Sequence, residues 1–149
     1  VGVESTIVKA AGGRLELLRP GGLPAGEIEA AAGQALLRPA GAGIQAPGMM
    51  ASHYAPRAAM RLGVTEVRAG EALLAFGPKR VPGEAVAVEN LSPAADLREA
   101  AANLFAMLDR LDRAGAAIIA VEPVPADGLG EAINDRLARA AAPREASHG

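Results

Sequence analysis

The chain has 149 residues, with 15 Lys and Arg against 17 Asp and Glu and a formal charge of −2, which fits one ordinary domain or two small units. With 36 Ala and only Phe76, Phe105 and Tyr54 as aromatics, the core has to be Leu, Ile and Val on small side chains, and a base-stacking nucleic-acid surface is not expected. The absence of Cys removes disulfides, a thiol nucleophile and Cys-ligated zinc and suits a reducing cytoplasm, while no apolar run approaches the ~18–20 residues of a membrane span.

The first segment, residues 1–33, opens on Val1 with neither the basic start nor the apolar stretch of a signal peptide, and reads as the beginning of a piece of a larger protein. Val3-Glu4-Ser5-Thr6-Ile7-Val8-Lys9-Ala10 alternates and is β-branched, as strands are. Ala11-Gly12-Gly13 turns the chain into a second alternating run, Arg14 to Leu18, which predicts an antiparallel hairpin. Arg19-Pro20-Gly21-Gly22 stops that strand, and Pro24 to Ala32 reads as a short helix ended by Gly33.

Residues 34–62 show no sustained period and carry Pro39, Pro47 and Pro56 with Gly41, Gly43 and Gly48. A structureless connection of this length is usually functional or a plain linker. Ile44, Met49, Met50, His53 and Tyr54 favour a strap that docks over one that floats in water.

Residues 63–142 read as a small α/β unit. Ala72 to Phe76, Ala85 to Val88 and Ala116 to Val121 are continuous apolar strands, which points to a parallel sheet covered on both faces. A helix from Asp96 to Ala114 places Leu97, Ala101, Leu104, Leu108 and Leu111 on one face, and a last helix from Leu129 to Ala141 does the same with Ile133, Leu137 and Ala140. Residues 143–149 read as a frayed tail.

Few residues stand out chemically. Ser5 and Thr6 are adjacent hydroxyls, either of which could meet a ligand amine or carboxylate, or could simply fill a strand. Arg19, before the Pro-Gly-Gly turn, could clamp a phosphate or carboxylate or be a surface strand end. His53-Tyr54 could pack on an adenine or donate to phosphate, or anchor the loop. No Ser-His-Asp arrangement provides a covalent nucleophile, and His148 lies in the tail, so no metal site is expected. Asp127 before Gly128-Leu129-Gly130 reads as a helix cap, because the dinucleotide fingerprint is incomplete at Ile133. Glu16, Glu27 and Glu29 read as solvated charges, and Asp135 with Arg139 as a helix-surface pair.

Taken in order, Val3-Glu4-Ser5-Thr6-Ile7-Val8, Leu17-Leu18-Arg19-Pro20-Gly21-Gly22, Ala46-Pro47-Gly48-Met49 through His53-Tyr54-Ala55-Pro56, and Gly128-Leu129-Gly130-Glu131-Ala132-Ile133-Asn134-Asp135-Arg136-Leu137 with Arg139-Ala140-Ala141 resemble the later part of the two-domain L-threonylcarbamoyladenylate synthases. The resemblance implies an α/β protein in which residues 1–33 are the end of a YrdC-like catalytic domain. Residues 34–62 would be the linker lying over the active site, and 63–142 a Rossmann-like C-terminal domain. It implies a nucleotidyltransferase that joins L-threonine, bicarbonate and ATP into threonylcarbamoyl-AMP and pyrophosphate, with magnesium on the ATP, and passes the product to tRNA-modifying proteins. Ser5 and Thr6 would bind threonine, and Arg19, His53 and Tyr54 would bind ATP. The family's main ATP-binding motifs precede the position of Val1, so this stretch alone is expected to be inactive. The chain departs from the pattern at Met50-Ala51, where relatives often carry a basic or aromatic pair. The competing expectation is a non-catalytic nucleotide- or amino-acid-sensing or interaction module built on the α/β unit.

Overall fold

A computed structural model describes residues 3–38 and 56–142. His53 and Tyr54, with most of the expected linker, lie outside the described residues.

The front of the chain forms the expected hairpin. Strands β1 (Ile7–Ala11) and β2 (Arg14–Arg19) pair antiparallel. Gly12 and Gly13 both have positive φ, 59° and 78°, the conformation that a two-residue turn matching strand twist requires. Helix α1 (Ala25–Ala32) follows and ends at Gly33 in the left-handed region. Leu17, Ala25 and Leu36 are buried together, with Val8, Leu15 and Ile28 at their edge. Leu36 and Leu37 fall within the expected linker. Instead the chain returns along β2, with Leu17 N donating to Leu37 O at 2.7 Å and Leu37 N to Leu15 O at 2.8 Å.

The remainder is a four-stranded parallel sheet in the order β3-β6-β4-β5, formed by β3 (Ala59–Leu62), β4 (Ala72–Ala75), β5 (Val88–Asn90) and β6 (Ile118–Val121). Residues 59–62, expected at the end of the linker, are therefore a strand. Its four residues, Ala-Met-Arg-Leu, are too few and too mixed in polarity to announce themselves. The expected strand Ala85–Val88 becomes regular only at Val88 and takes in Glu89 and Asn90. It lies at the sheet edge, where polar side chains reach water, and Arg110 pairs with Glu89 there at 3.0 Å.

Helices α2 (Leu97–Arg113) and α3 (Leu129–Ala141) share one face of the sheet. Ala72, Leu74, Ile119 and Val121 meet Leu104, Leu108, Leu111, Ile133 and Leu137 there in the main core. Asp96 caps α2, its carboxylate accepting from Arg98 N and Glu99 N. Leu73, Ala75 and Ala120 point to the opposite face, as alternation along a strand requires. That face is apolar as expected, but its cover comes from irregular segments carrying Val64, Val67, Val81 and Ala85. Two buried carboxylates fasten this cover. Glu71 binds Arg61 at 2.9 Å and accepts from Arg68 N, and Glu122 accepts from Phe76 N and Val81 N.

The hairpin and the α/β unit meet through α3. Val3 is buried in the main core, Glu4 pairs with Arg139, and Arg38 forms a two-pronged pair with Glu131 at 2.8 and 3.1 Å.

Candidate functional site

Ser5, Thr6 and Arg19 are brought together by the way the chain enters the hairpin. The strand expected from Val3 begins only at Ile7, so Ser5 and Thr6 lie on an extended lead-in. The pairing register shifts between Ile7 and Val8, and such bulges release a segment from the ladder. Other bonds hold it. Gly22 N donates to Glu4 O at 2.8 Å. Arg19 Nε and Nη2 donate to Ser5 O at 3.0 and 2.9 Å. The Thr6 hydroxyl donates to Leu23 O at 2.8 Å and accepts from Leu23 N at 3.1 Å.

Gly21 makes this approach possible. A Cβ there would stand 2.3 Å from Glu4 O, Ser5 C and Thr6 N, well inside contact distance. The Pro-Gly-Gly sequence is thus a steric requirement at Gly21 as well as a strand stop.

These bonds leave the three side chains in different states. Ser5 is exposed and its hydroxyl takes no part in them. Thr6 has spent its one donor and one of its two lone pairs on Leu23, so its first role is structural. Arg19 is well covered, with 12% of its side chain exposed. It has committed Nε–H and one Nη2–H to Ser5, and its Nη1 lies 3.8 Å from Glu4 Oε1.

A second layer of charge lies behind this segment. Glu4 Oε1 accepts from Arg139 Nη2, and Arg139 Nε donates to Asp135 at 3.0 Å. Arg139 and Asp135 are therefore not an ordinary helix-surface pair, since Arg139 is buried and bridges two units. Arg136, one turn earlier, is 1% exposed with its guanidinium 4.8 Å from the centroid of the Phe105 ring, a cation–π contact. Burial pushes the Glu4 carboxyl pKa up, but the Arg139 hydrogen bond and the charges of Arg139, Arg19 and Arg136 outweigh it and hold the group below its ordinary value. Between β2 and α3 lies a cleft of about 330 Å³ lined by Leu17, Leu18, Pro20, Arg38, Glu131, Asn134 and Asp135.

The composition had concealed this layer. One signal was present: Arg136 occupies a position on the apolar face of α3, three residues after Ile133 and next to Leu137. A charge there calls for buried partners. Two smaller readings change. Asp127 is exposed and does not cap α3, whose N-cap is Gly128, without a side-chain cap bond. Gly130 is needed because a Cβ would fall 1.7 Å from Pro125 O. Glu29 is not simply solvated, as it accepts from Leu36 N at 2.8 Å and fixes the turn after α1. Among the described residues no group of three His, Cys, Asp or Glu could hold a metal ion, and no helix is long and apolar enough to cross a membrane.

Comparison with known proteins adds the following. The family described as threonylcarbamoyl-AMP synthase, C-terminal domain, matches residues 23–142. The threonylcarbamoyl-AMP synthase of Pyrococcus abyssi is 35% identical over 168 residues, covering 94% of this chain and 46% of that protein. The crystal structure of P. abyssi Sua5 complexed with L-threonine superposes with a TM-score of 0.76 at 32% identity, over 94% of this chain and 46% of the other. A structure of the same protein with a consecutive His-Tyr pair changed to alanine gives 0.72 at 31% identity, over 94% and 45%. The chain spans about half the length of the curated relative it matches.

Proposed function

Because the chain belongs to the threonylcarbamoyl-AMP synthase C-terminal-domain family, we propose that it is part of an enzyme making threonylcarbamoyl-AMP from L-threonine, bicarbonate and ATP for the modification of tRNA adenosine. One observation carries the reading. The Ser5 hydroxyl is presented to solvent from a backbone segment whose carbonyl is held in the fork of Arg19, in a fold shared with a protein crystallised with L-threonine.

In this reading the threonine amine and bicarbonate give a carbamate with loss of water, and the carbamate attacks the α-phosphorus of ATP. A carbamate O–P bond forms, the bond between the α-phosphorus and the bridging oxygen breaks, and pyrophosphate leaves with that oxygen. The reaction needs positioning and charge neutralisation and no covalent nucleophile. Ser5 supplies a hydroxyl to threonine, with Thr6 holding the segment in place. Arg19 presents the N–H donors not committed to Ser5 to the phosphates, where a planar cation suits oxyanions. Magnesium bound to the ATP phosphates would add charge neutralisation there. His53 and Tyr54 bring the Pro-rich strap onto the nucleotide, a role supported by the attention given to a consecutive His-Tyr pair in the Pyrococcus protein. Closing that strap would keep water from the mixed anhydride. Residues 1–38, with Leu36 and Leu37 folded back along β2, form the end of the catalytic domain, the linker that follows is its strap, and 59–142 are the Rossmann-like domain, in a cytoplasmic protein whose product goes to tRNA-modifying partners.

The test is pyrophosphate release dependent on both ATP and L-threonine by the full-length protein, with and without Arg19→Ala. Loss of release by tenfold or more in the variant, at unchanged folding, is the expected result. Release that stays at the wild-type rate removes Arg19 from the phosphate site, and no release by the wild type removes the function.

A further inference from the structure

The candidate site is built on the front of the chain, yet one face of α3 grips the residue immediately before Ser5. Asp135 holds Arg139, Arg139 holds Glu4, and Glu4 faces Arg19, whose other donors hold the Ser5 carbonyl. The four charged side chains of this series are 23%, 9%, 20% and 12% exposed, so water screens their attraction only in part.

We propose that Arg139 is a positioning residue for the threonine pocket, acting through Glu4 to set the placement of Ser5 and Arg19. The inference rests on the functional reading above and adds to it a task for the C-terminal domain.

The physical argument is one of divided donors. Arg19 donates Nε–H and one Nη2–H to the Ser5 carbonyl, while its Nη1 faces the Glu4 carboxylate across 3.8 Å. With Arg139 in place, Glu4 is pinned and gives Nη1 of Arg19 a fixed counter-charge, so the guanidinium plane can turn only by giving up a bond at Ser5. Without Arg139 the Glu4 carboxylate is free to swing toward Arg19 and draw the fork off the Ser5 carbonyl. Val3, buried in the main core, would still tether the strand. The loss would therefore fall on the geometry at Ser5 more than on the attachment of the segment.

The experiment titrates L-threonine calorimetrically into the full-length protein as wild type, Arg139→Met, Glu4→Gln and the double variant, with melting temperatures alongside. Each single variant is expected to weaken threonine binding by about three- to thirtyfold. The double variant should be no weaker than the weaker single, because both break one chain of contacts. Arg139→Lys, which keeps a charge and a donor, should restore part of the affinity, and it carries the comparison if Arg139→Met fails to fold. Threonine affinity within twofold of wild type in the single variants, or losses that simply add in the double, would overturn the inference and leave the functional reading intact. A wild-type protein that binds no threonine overturns both.

Discussion

Arg19 places Nε and Nη2 at 3.0 and 2.9 Å from the carbonyl oxygen of Ser5, so an arginine at a strand end acts as a backbone clamp before it can act on any ligand. Lysine has one nitrogen and cannot make that fork. Arg19→Lys should keep the fold, with a melting temperature within a few degrees of wild type, and should still lose at least tenfold in threonine- and ATP-dependent pyrophosphate release. A lysine variant as active as wild type would show that charge alone suffices.

Gly21→Ala is a sharper test of the same segment. The added Cβ would lie 2.3 Å from three backbone atoms of residues 4 to 6, and backbone cannot step aside as a flexible side chain can. The strand lead-in has to move, at a cost of about 2 kcal/mol or more if it resembles other overpacked sites. Urea unfolding would read the loss. Gly22→Ala, where a Cβ finds nothing nearer than 4.0 Å, provides the control.

Glu71 gives the protein a defined acid response. The Arg61 hydrogen bonds lower its carboxyl pKa, burial opposes them, and the Arg68 N–H and the nearby charges add to the lowering, leaving the group at about 2 against an ordinary value of 4.5. A depressed folded-state pKa contributes stability that is complete above the unfolded value and disappears as pH falls through the folded one. Wild type should therefore lose stability between pH 4.5 and 2. Glu71→Gln should be less stable at pH 7 and fall less steeply in that window, so that the two melting curves converge near pH 2. Parallel curves would deny Glu71 this role.

Among the described residues two ion pairs join the front unit to α3, and Arg38–Glu131 is the more exposed, with 49% and 27% of the side chains exposed. Its removal by Arg38→Met should cost under about 1 kcal/mol, with the difference shrinking as salt is added. A large, salt-independent loss would mean that the pair holds the two units together.

Leu104 is fully buried where α2 meets the sheet. Leu104→Ala should destabilise the protein by about 2–5 kcal/mol, measured by chemical denaturation. Ala102, exposed on the same helix, should tolerate Ser within about 0.5 kcal/mol.

The elements with strong local signals were legible from the residues. The hairpin follows from two alternating runs around Gly12-Gly13, and α3 spans Leu129–Ala141 as its periodicity requires. Strand β3 was hidden, because four residues carry almost no periodicity and only pairing with β6 makes them a strand. The cover of the second sheet face was equally hidden, since Val64, Val67, Val81 and Ala85 belong to no period at all.

For the candidate site, residue type and order alone singled out Ser5, Thr6 and Arg19 as candidates and tied their motifs to a family, because those side chains are chemically distinctive and sit in short local motifs. Which of the three is free was decided by tertiary structure. Thr6 is bound into Leu23, Arg19 is bound to Ser5, and only the Ser5 hydroxyl stands clear of those contacts. The meeting of Glu4 with Arg139, 135 positions apart, depended on folding as well. An amphipathic pattern reports which face of a helix is buried, but a charge on that face finds its partner only when two distant segments are packed together.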